Sequence, residues 1–528
     1  MFMKFALTCA ALVFVFGPVQ AASRLSHTLK IDGGRIAIAA PSADGIRVYK
    51  GLPYAAPPVG ERRWREPAPV KAWRGARAVD RLAPNCLQPK IFGDIDPFTP
   101  SMSEDCLYLN VWTGAKRGEA RPVLVWIHGG AYLAGYGGER RHDGTVLARK
   151  GVVVVTLNYR LGVFGFMAHP QLSAESPHRA SGNYALMDMI AALRWVRRNI
   201  SKFGGDANRV TIAGESAGSD AVSRLMTSPE AHGLFQRAIG ESGSAFGTMP
   251  DDTLAAAEAK GEAFARAMGD DGIAALRKRS SAEILAEELA AHQNWEFDPA
   301  IDGWILPAPA GEIFAAGKQN DVPLLVGWNA DEGSLFSSGV FGTQSLSEML
   351  TARFGDKSGE AAIFYPSATP EEELLSRVSW AGDTEIRQPT WSWAMAQTKS
   401  GHAPVYLYLF NRHPPIPPDW FGEANKGKDF GAFHSGEIPY VFGHADIFPS
   451  WQPMESDFQL ADLMSSAWAS FAAAGDPNGE GRPVWPVYDP NGTAMRMVFG
   501  EQSEAKPDED LARHKFLENN FSAPSKTQ

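Results

Sequence analysis

The chain has 528 residues, of which 44% are apolar and 21% charged, so it is long enough to build a large core and has the composition of a globular protein. The formal net charge of −10 comes without a basic stripe, which argues against a nucleic-acid-binding protein. No repeat or low-complexity tract stands out. These features indicate a globular protein, either two or three ordinary domains or one large α/β domain with insertions, and argue against a nucleic-acid-binding chain.

The first segment, residues 1–21, has the pattern of a secretory signal peptide. Lys4 precedes an apolar run from Phe5 to Phe16, and small residues ending at Ala21 form a cleavage site. The run is short for a membrane span, and nothing later in the sequence reaches the necessary length. We therefore expect an exported protein, periplasmic or secreted, with no transmembrane anchor after the leader is removed.

Two cysteines, Cys86 and Cys106, remain in the mature chain, residues 22–528. A pair of cysteines in an exported protein favours one disulfide bond, here closing the loop between them. Two separate buried thiols are the alternative.

The next elements in chain order are apolar runs with little alternation, which is typical of strands covered on both faces of a mostly parallel sheet. Two strand-like runs precede a Pro-rich stretch, and the longer runs are EDCLYLNVW (104–112), PVLVWIHGG (122–130), GVVVVTLNYR (151–160), VTIA (210–213) and VPLLVGWN (322–329). Between the third and fourth of them, residues 185–200 carry apolar side chains at i, i+3, i+4 and i+7, which predicts an amphipathic helix.

This alternation of strands and helices predicts an α/β fold with right-handed crossovers. Residues 335–430 are less regular and rich in aromatic side chains, and no Gly/Ser linker marks a domain boundary. We expect one domain over residues 22–528, with residues 335–430 forming a cap or side insertion.

Ser216 lies at the centre of VTIAGESAGSDAVSRLM (210–226), where a β-branched run passes through G-x-S-x-G into a helical pattern. Strand, glycine-flanked serine and helix are the context of a nucleophile elbow, which exposes the hydroxyl at a helix N-terminus. The alternative is an idle serine in a tight turn, since the short motif is common by chance in a Gly-rich chain.

A nucleophilic serine needs oxyanion donors, a base and an acid. The turn HGGA (128–131) offers backbone amides, although an ordinary turn has the same sequence pattern. The acid is expected after a later strand, where Asp331 and Glu332 both qualify, and spacing does not choose between them. Five histidines follow that strand: His402, His413, His434, His444 and His514. Of these we favour His434, because it lies in a glycine-flanked loop before an apolar run.

Several longer motifs occur in one order between residue 50 and about residue 490: KGLPYAAPPVGERRW, SEDCLYLNVW, VWIHGGAYLAG, LNYRLGVFGF, VTIAGESAGS, NADEGS, FHSGEIPYVFG and WASFAAAGDPN. With them the chain resembles the type-B carboxylesterases, the group that includes cholinesterases and bacterial p-nitrobenzyl-type esterases. The resemblance implies an α/β-hydrolase fold, with a large mostly parallel sheet flanked by helices. It also implies hydrolysis of small-molecule esters without a metal or organic cofactor.

The resemblance also implies the roles of particular residues. The family's triad corresponds to Ser216, Glu332 and His434, and its oxyanion hole to the amides of Gly130, Ala131 and Ala217. Ala131 stands where many relatives have a third glycine, which leaves a backbone donor in place. Ser242 corresponds to a serine near the triad acid, Cys86 and Cys106 to a disulfide, and Arg63 and Glu104 to an ion pair beside it.

The cholinesterase loop carries a tryptophan that holds the choline cation, and residues 87–105 contain none, which argues against choline esters. The implied reaction is two-step acyl transfer, with Glu437 structural rather than a second acid. An amidase, a carbamate hydrolase, a lipase or a non-catalytic adhesion protein remains an alternative.

Overall fold

The computed structural model describes residues 28–92, 101–116, 118–247, 251–270, 272–290, 297–335 and 344–521. The predicted signal peptide, residues 1–21, lies outside these ranges and stays a prediction. Among the described residues, no helix combines the length and the apolar character that a membrane crossing requires.

A large mixed sheet forms the centre of the molecule. In the described residues the strands, numbered β1 to β15 in chain order, are Thr28–Ile31, Gly34–Ala37, Arg47–Pro53, Ala76–Arg77, Tyr108–Thr113, Arg121–Ile127, Val153–Leu157, Gly205–Glu215, Arg237–Glu241, Asp252–Thr253, Ala300–Ile301, Leu324–Asn329, Val405–Phe410, Met495–Phe499 and Glu504–Pro507. Ten of them form one sheet in the order β15-β14-β13-β12-β9-β8-β6-β7-β5-β3.

The middle of this sheet is parallel: β7, β6, β8, β9, β12, β13 and β14 follow one another with parallel pairing. The pairs at the two edges, β14 with β15, β7 with β5 and β5 with β3, are antiparallel. The predicted α/β class and the α/β-hydrolase architecture are therefore confirmed. Because the middle strands are parallel, their carboxyl ends meet at one edge of the sheet, where sites in this class of fold are built.

Helices cover both faces of the sheet. In the described residues they are, from α1 to α16, Thr145–Arg149, Gly162–Phe166, Pro170–Glu175, Tyr184–Asn199, Ala217–Thr227, Leu254–Ala267, Ile273–Leu276, Ser281–Ala290, Ala310–Ala315, Leu346–Phe354, Ser358–Ala361, Pro370–Gly382, Gln388–Ser400, Ile438–Val441, Glu455–Ala474 and Leu511–Asn520. The helix predicted over residues 185–200 is α4, and a short 3₁₀ segment, Ile200–Phe203, follows it.

Strand β6 shows why the sequences of the central strands are apolar at consecutive positions. Val123 and Val125 pack into one core with α4, α5 and α13, whereas Leu124 and Trp126 pack into a second core with α15. Since both faces are buried, every position from Pro122 onward favours an apolar side chain.

The segment 335–430 is not an insertion throughout. Its part Val405–Phe410 is β13, which pairs with β12 and β14 inside the central sheet. The helices α10 and α12 instead share a separate apolar cluster with the C-terminal helix α16. This buried strand follows closely after α13, and a run of six residues does not by itself distinguish a strand from a helix.

A disulfide bond, an ion pair and a hydrogen bond hold the segments before β5. Cys86 and Cys106 form a disulfide bond, so this prediction is confirmed. The implied ion pair of Arg63 with Glu104 is also present, with 2.5 Å between Nη2 and Oε1. Arg63 Nη1 donates to the carbonyl of Leu276 as well, which connects this region to α7.

Candidate active site

Ser216 stands on a sharp turn between β8 and α5. Its φ of 56° and ψ of −124° are strained for a residue with a side chain, and its amide donates to the carbonyl of Glu241 at 2.8 Å. A Cβ added to Gly218 would lie 2.1 Å from the carbonyl oxygen of Ile127, so glycine is needed for strand and helix to approach. The turn has the geometry of a nucleophile elbow, and the side chain of Ser216 is partly exposed above the sheet.

Glu332 and His434 meet at the same edge of the sheet. Glu332 begins a 3₁₀ turn just after β12 and is completely buried, and its Oε2 lies 2.6 Å from Nδ1 of His434. Its other oxygen accepts the amide of Asn329 at 2.7 Å. With both oxygens bonded, the carboxylate is fixed in orientation and can hold the imidazole ring in one tautomer.

Asp331, the other acid that the spacing allowed, points elsewhere. Its Oδ2 accepts the amide of Ala432 at 2.8 Å, and its own amide donates to the carbonyl of Ala432 at 3.0 Å. Asp331 thus anchors the backbone two residues before His434 and is not the partner of the ring.

The other late histidines lie away from this acid. His514 is buried against Gln388, His444 contacts Asp143, His413 is an exposed side chain near Asp429, and His402 is exposed with its amide bonded to Asp321. Of the five late histidines, His434 is the one that the structure brings into contact with Glu332.

Glu215, directly before Ser216, is a site residue that the sequence reasoning missed. It is buried, and its Oε1 lies 3.2 Å from Nε2 of His434. Its Oε2 also lies against Gly129, where an added Cβ would come within 2.6 Å. The one available signal was an acid inside the G-x-S-x-G motif, which alone does not say what the carboxylate contacts.

Two carboxylates therefore face the ring of His434 from its two nitrogens. Burial disfavours the charged imidazole, but the negative charges of Glu215 and Glu332 outweigh burial and raise the pKa of His434 above its ordinary value. The surroundings consequently stabilise the imidazolium that forms whenever the ring takes up a proton.

The HGGA turn lies beside Ser216. Gly130, Ala131 and Tyr132 all have positive φ, 103°, 52° and 56°. A Cβ added to Gly129 would lie 3.0 Å from Cβ of Ser216, so the turn packs directly on the serine. The carbonyl of Gly130 accepts the amides of Leu133 and Ala134, both at 2.9 Å, which fixes the turn.

Ala217, the third predicted donor, is the first residue of α5. The first amides of a helix have no partner within the helix, and the helix dipole favours negative charge there. The three predicted donors thus lie on two segments that flank Ser216.

A second group of polar side chains lies behind Glu332. Asn329 donates through Nδ2 to Glu437 at 2.5 Å and to the carbonyl of Phe433 at 2.7 Å, so it links β12 to the His434 loop. Burial, and then the charge of Glu332, raise the pKa of Glu437 to about 7. Ser242, with a φ of 56°, is fully buried at the end of β9, and its amide donates to Gly327.

In the described residues there is no cluster of three or more His, Cys, Asp or Glu side chains arranged to hold a metal ion.

Comparison with known proteins gives one family. Residues 26–514 match the model of the carboxylesterase family. The fumonisin B1 esterase of Sphingopyxis macrogoltabida is 38% identical over 476 residues, which cover 87% of this chain and 84% of that protein. The para-nitrobenzyl esterase of Bacillus subtilis (strain 168) is 38% identical over 464 residues, covering 84% and 89%. A solved PNB esterase superposes with a TM-score of 0.80 at 33% identity, over 93% of this chain and 99% of the other.

Proposed function

The chain belongs to the carboxylesterase family and is a carboxylic ester hydrolase, and we propose that it cleaves its ester through an acyl-enzyme intermediate on Ser216. The hydrogen bond between His434 and Glu332 supports this most directly. It orients an imidazole at the edge of the sheet where the strained turn of Ser216 lies. A nucleophile, a base and an oriented acid are the parts that acyl transfer requires.

In the first step the Ser216 hydroxyl attacks the ester carbonyl, and Nε2 of His434 takes up the hydroxyl proton. Glu332 accepts a hydrogen bond from Nδ1 throughout and stabilises the imidazolium. The ring then gives its proton to the leaving alcohol, which departs and leaves the acyl group on Ser216.

In the second step a water molecule attacks the acyl-enzyme, and His434 removes its proton. The ring returns this proton to Ser216 as the acid leaves. In both steps the amides of Gly130, Ala131 and Ala217 donate hydrogen bonds to the negatively charged oxygen of the tetrahedral intermediate. Preorganised backbone donors are suited to stabilise this charge.

The substrate is a small-molecule ester. Residues 87–105 contain no tryptophan, so the cation-binding ring of the cholinesterases has no counterpart there. We expect choline esters to be poorer substrates than uncharged esters of the same acyl group.

Export of the protein is part of the proposal. The leader pattern of residues 1–21 and the disulfide bond between Cys86 and Cys106 support it, because disulfides persist in oxidising compartments. Expression with the native leader, fractionation and intact mass should give an exported chain that begins near residue 22. A full-length chain retained in the cytoplasm would contradict it.

Active-site labelling tests the acyl-enzyme. A p-nitrophenyl phosphonate should add one phosphonyl group to the wild-type protein and release nitrophenol. Ser216→Ala should take up no label and should lose about 10⁴-fold or more in kcat on p-nitrophenyl esters, with its fold retained by circular dichroism. Ser223→Ala is the matched control, because Ser223 is a buried serine on the same helix, α5.

Labelling of Ser216→Ala, or hydrolysis by it near the wild-type rate, would overturn the assignment. A series of p-nitrophenyl esters of increasing acyl length, with the matched anilide and carbamate, then defines the substrate. Faster turnover of the anilide or the carbamate would replace the ester as the preferred substrate.

A further inference from the structure

Glu288 is a buried carboxylate that has no part in the proposed reaction. It lies in α8 (Ser281–Ala290), is 3% exposed, and its Oε1 accepts the amide of Val163 at 2.6 Å. Val163 belongs to the short helix α2 (Gly162–Phe166), which is separated from Glu288 by more than a hundred residues of sequence. Burying a carboxylate lowers the stability of the fold unless hydrogen bonds or charges compensate for its desolvation. A buried acid at this position is therefore expected to have a role.

The backbone of α2 is shaped to admit the carboxylate. Gly162 has a φ of 48°, and a Cβ added there would lie 2.3 Å from Oε1 of Glu288. Any other residue at position 162 would therefore displace Glu288 from α2. The glycine and the acid fit as a pair.

Helix α2 in turn supports the turn beside Ser216. The amide of Gly162 donates to the carbonyl of Tyr132 at 2.8 Å, and the rings of Phe166 and Tyr132 pack edge to face with 4.9 Å between their centres. The hydroxyl of Tyr132 donates to Asp220 on α5 at 2.5 Å. Tyr132 directly follows Ala131, so α2 fixes the end of the turn that carries the proposed oxyanion donors Gly130 and Ala131.

We propose that Glu288 is a positioning residue for ester hydrolysis: by holding α2 in place, its carboxylate keeps the Gly130–Tyr132 turn in the geometry that receives the oxyanion. The inference rests on the proposed roles of Ser216 and of the Gly130 and Ala131 amides. Glu288 touches neither substrate nor reacting atoms in this scheme and acts through Val163, Gly162 and Tyr132.

The protonation of Glu288 gives the contact a pH dependence. Burial raises the pKa of Glu288 to about 7, and the amide of Val163 partly opposes that rise. Gly162 and Val163, which face it from α2, carry no charge. Two further acids, Glu283 and Glu287, lie on the same helix as Glu288. The guanidinium of Arg63 lies 5.9 Å from the ring of Phe164 in α2, and it forms an ion pair with Glu104. Above about pH 7 Glu288 ionises, and the charged carboxylate is more stable in water than buried against α2. Its contact with α2 is therefore weaker at high pH.

Two substitutions and one control test the proposal. Glu288→Leu removes the acceptor, and Glu288→Gln keeps an acceptor oxygen but removes the ionisation. Glu287→Gln, on the same helix and less buried, is the matched control. For each protein we would measure kcat and KM on a p-nitrophenyl ester from pH 6 to 9, per active site titrated with the phosphonate, together with thermal unfolding.

We expect Glu288→Leu to lower kcat about 10-fold or more with little change in KM, since a displaced oxyanion turn affects the transition state more than ground-state binding. Glu288→Gln should restore kcat at pH 7, and the ratio of its kcat to the wild-type kcat should rise as pH increases above 7. Glu287→Gln should match the wild type.

If Glu288→Leu keeps the wild-type kcat per titrated site while unfolding at lower temperature, the role is structural and the inference is overturned. If Glu288→Leu does not fold, the test rests on Glu288→Gln. A dependence of kcat on pH in this variant identical to that of the wild type would then overturn the inference. Wild-type protein that takes up phosphonate at a residue other than Ser216 would instead overturn the proposed function itself, so the two failures are distinguishable.

Discussion

The carboxylate of Glu215 lies 3.2 Å from Nε2 of His434, while Nδ1 of the same ring bonds to Glu332 at 2.6 Å. The imidazole is thus held between two acids, one of which is adjacent in sequence to the proposed nucleophile. This arrangement stabilises the charged ring and sets the pH range in which the ring is able to act as a base.

Glu215→Gln should shift the acid limb of kcat/KM to lower pH. The base must be neutral to take the Ser216 proton, so activity rises as pH passes the pKa of His434. Removing Glu215, the charge that raises this pKa most, lowers it by about one unit or more. The kcat at the optimum should also fall, because the imidazolium loses a stabilising charge.

A pH profile of p-nitrophenyl ester hydrolysis measures this shift. Glu230→Gln serves as the control, because Glu230 is paired with Arg194 in a solvent-accessible contact. An acid limb that does not move in Glu215→Gln would mean that Glu215 does not act on the ring electrostatically.

The adjacent acids Asp331 and Glu332 provide a matched pair of variants. Glu332→Gln should lower kcat about 10³-fold or more, because the ring loses the carboxylate that orients it. Asp331→Asn should leave kcat within about 3-fold, since its side chain holds the backbone of Ala432 and not the ring. Steady-state kinetics on one ester compares them, and equal losses in both would contradict the assignment of the acid.

Much of this site follows from local sequence. The strand before Ser216, the glycines around it and the apolar spacing of α5 are short-range features, so the turn was predictable from VTIAGESAGSDAVSRLM. The parallel sheet was predictable because doubly covered strands read as unbroken apolar runs.

The choice between Asp331 and Glu332 was not predictable from spacing. Their positions differ by one residue, and which carboxylate reaches His434 depends on the 3₁₀ turn and on a loop a hundred residues later. The family resemblance implied Glu332, and the geometry places that residue against the ring. Glu215 contacts His434 and Glu288 contacts Val163, and both partners lie more than a hundred residues away in the sequence, so no local pattern predicts these contacts.

The strand Val405–Phe410 is a part of the central sheet that the sequence pattern does not predict. The irregular sequence around it predicts a cap or side insertion, yet all six residues of the strand pair with β12 in the central sheet. A short apolar run is ambiguous between strand and helix until its neighbours are known.

Reduction of the disulfide should lower stability without abolishing the fold. Cys86 and Cys106 are 20 positions apart, and a cross-link over such a loop contributes about 3 kcal/mol by restricting the unfolded chain. Urea unfolding of the Cys86→Ser/Cys106→Ser protein should show a loss of this size. Added reductant should destabilise the wild type and leave the double variant unchanged, and equal urea midpoints for the two proteins without reductant would contradict the expected contribution.

The titration of Glu288 predicts a specific pH dependence of stability. Its pKa rises from 4.5 to about 7 on folding because the side chain is buried. Between these values the native state holds a proton that the unfolded chain has lost, so the free energy of unfolding of the wild type falls as pH rises through this window and levels off above it. The Gln variant has no such proton. Its free energy of unfolding relative to the wild type should therefore grow by about 3 kcal/mol from pH 4.5 to pH 7.5. Urea titrations at four pH values measure the difference, Glu287→Gln gives the baseline, and a difference that does not change with pH would show that Glu288 is ionised alike in the folded and unfolded chains.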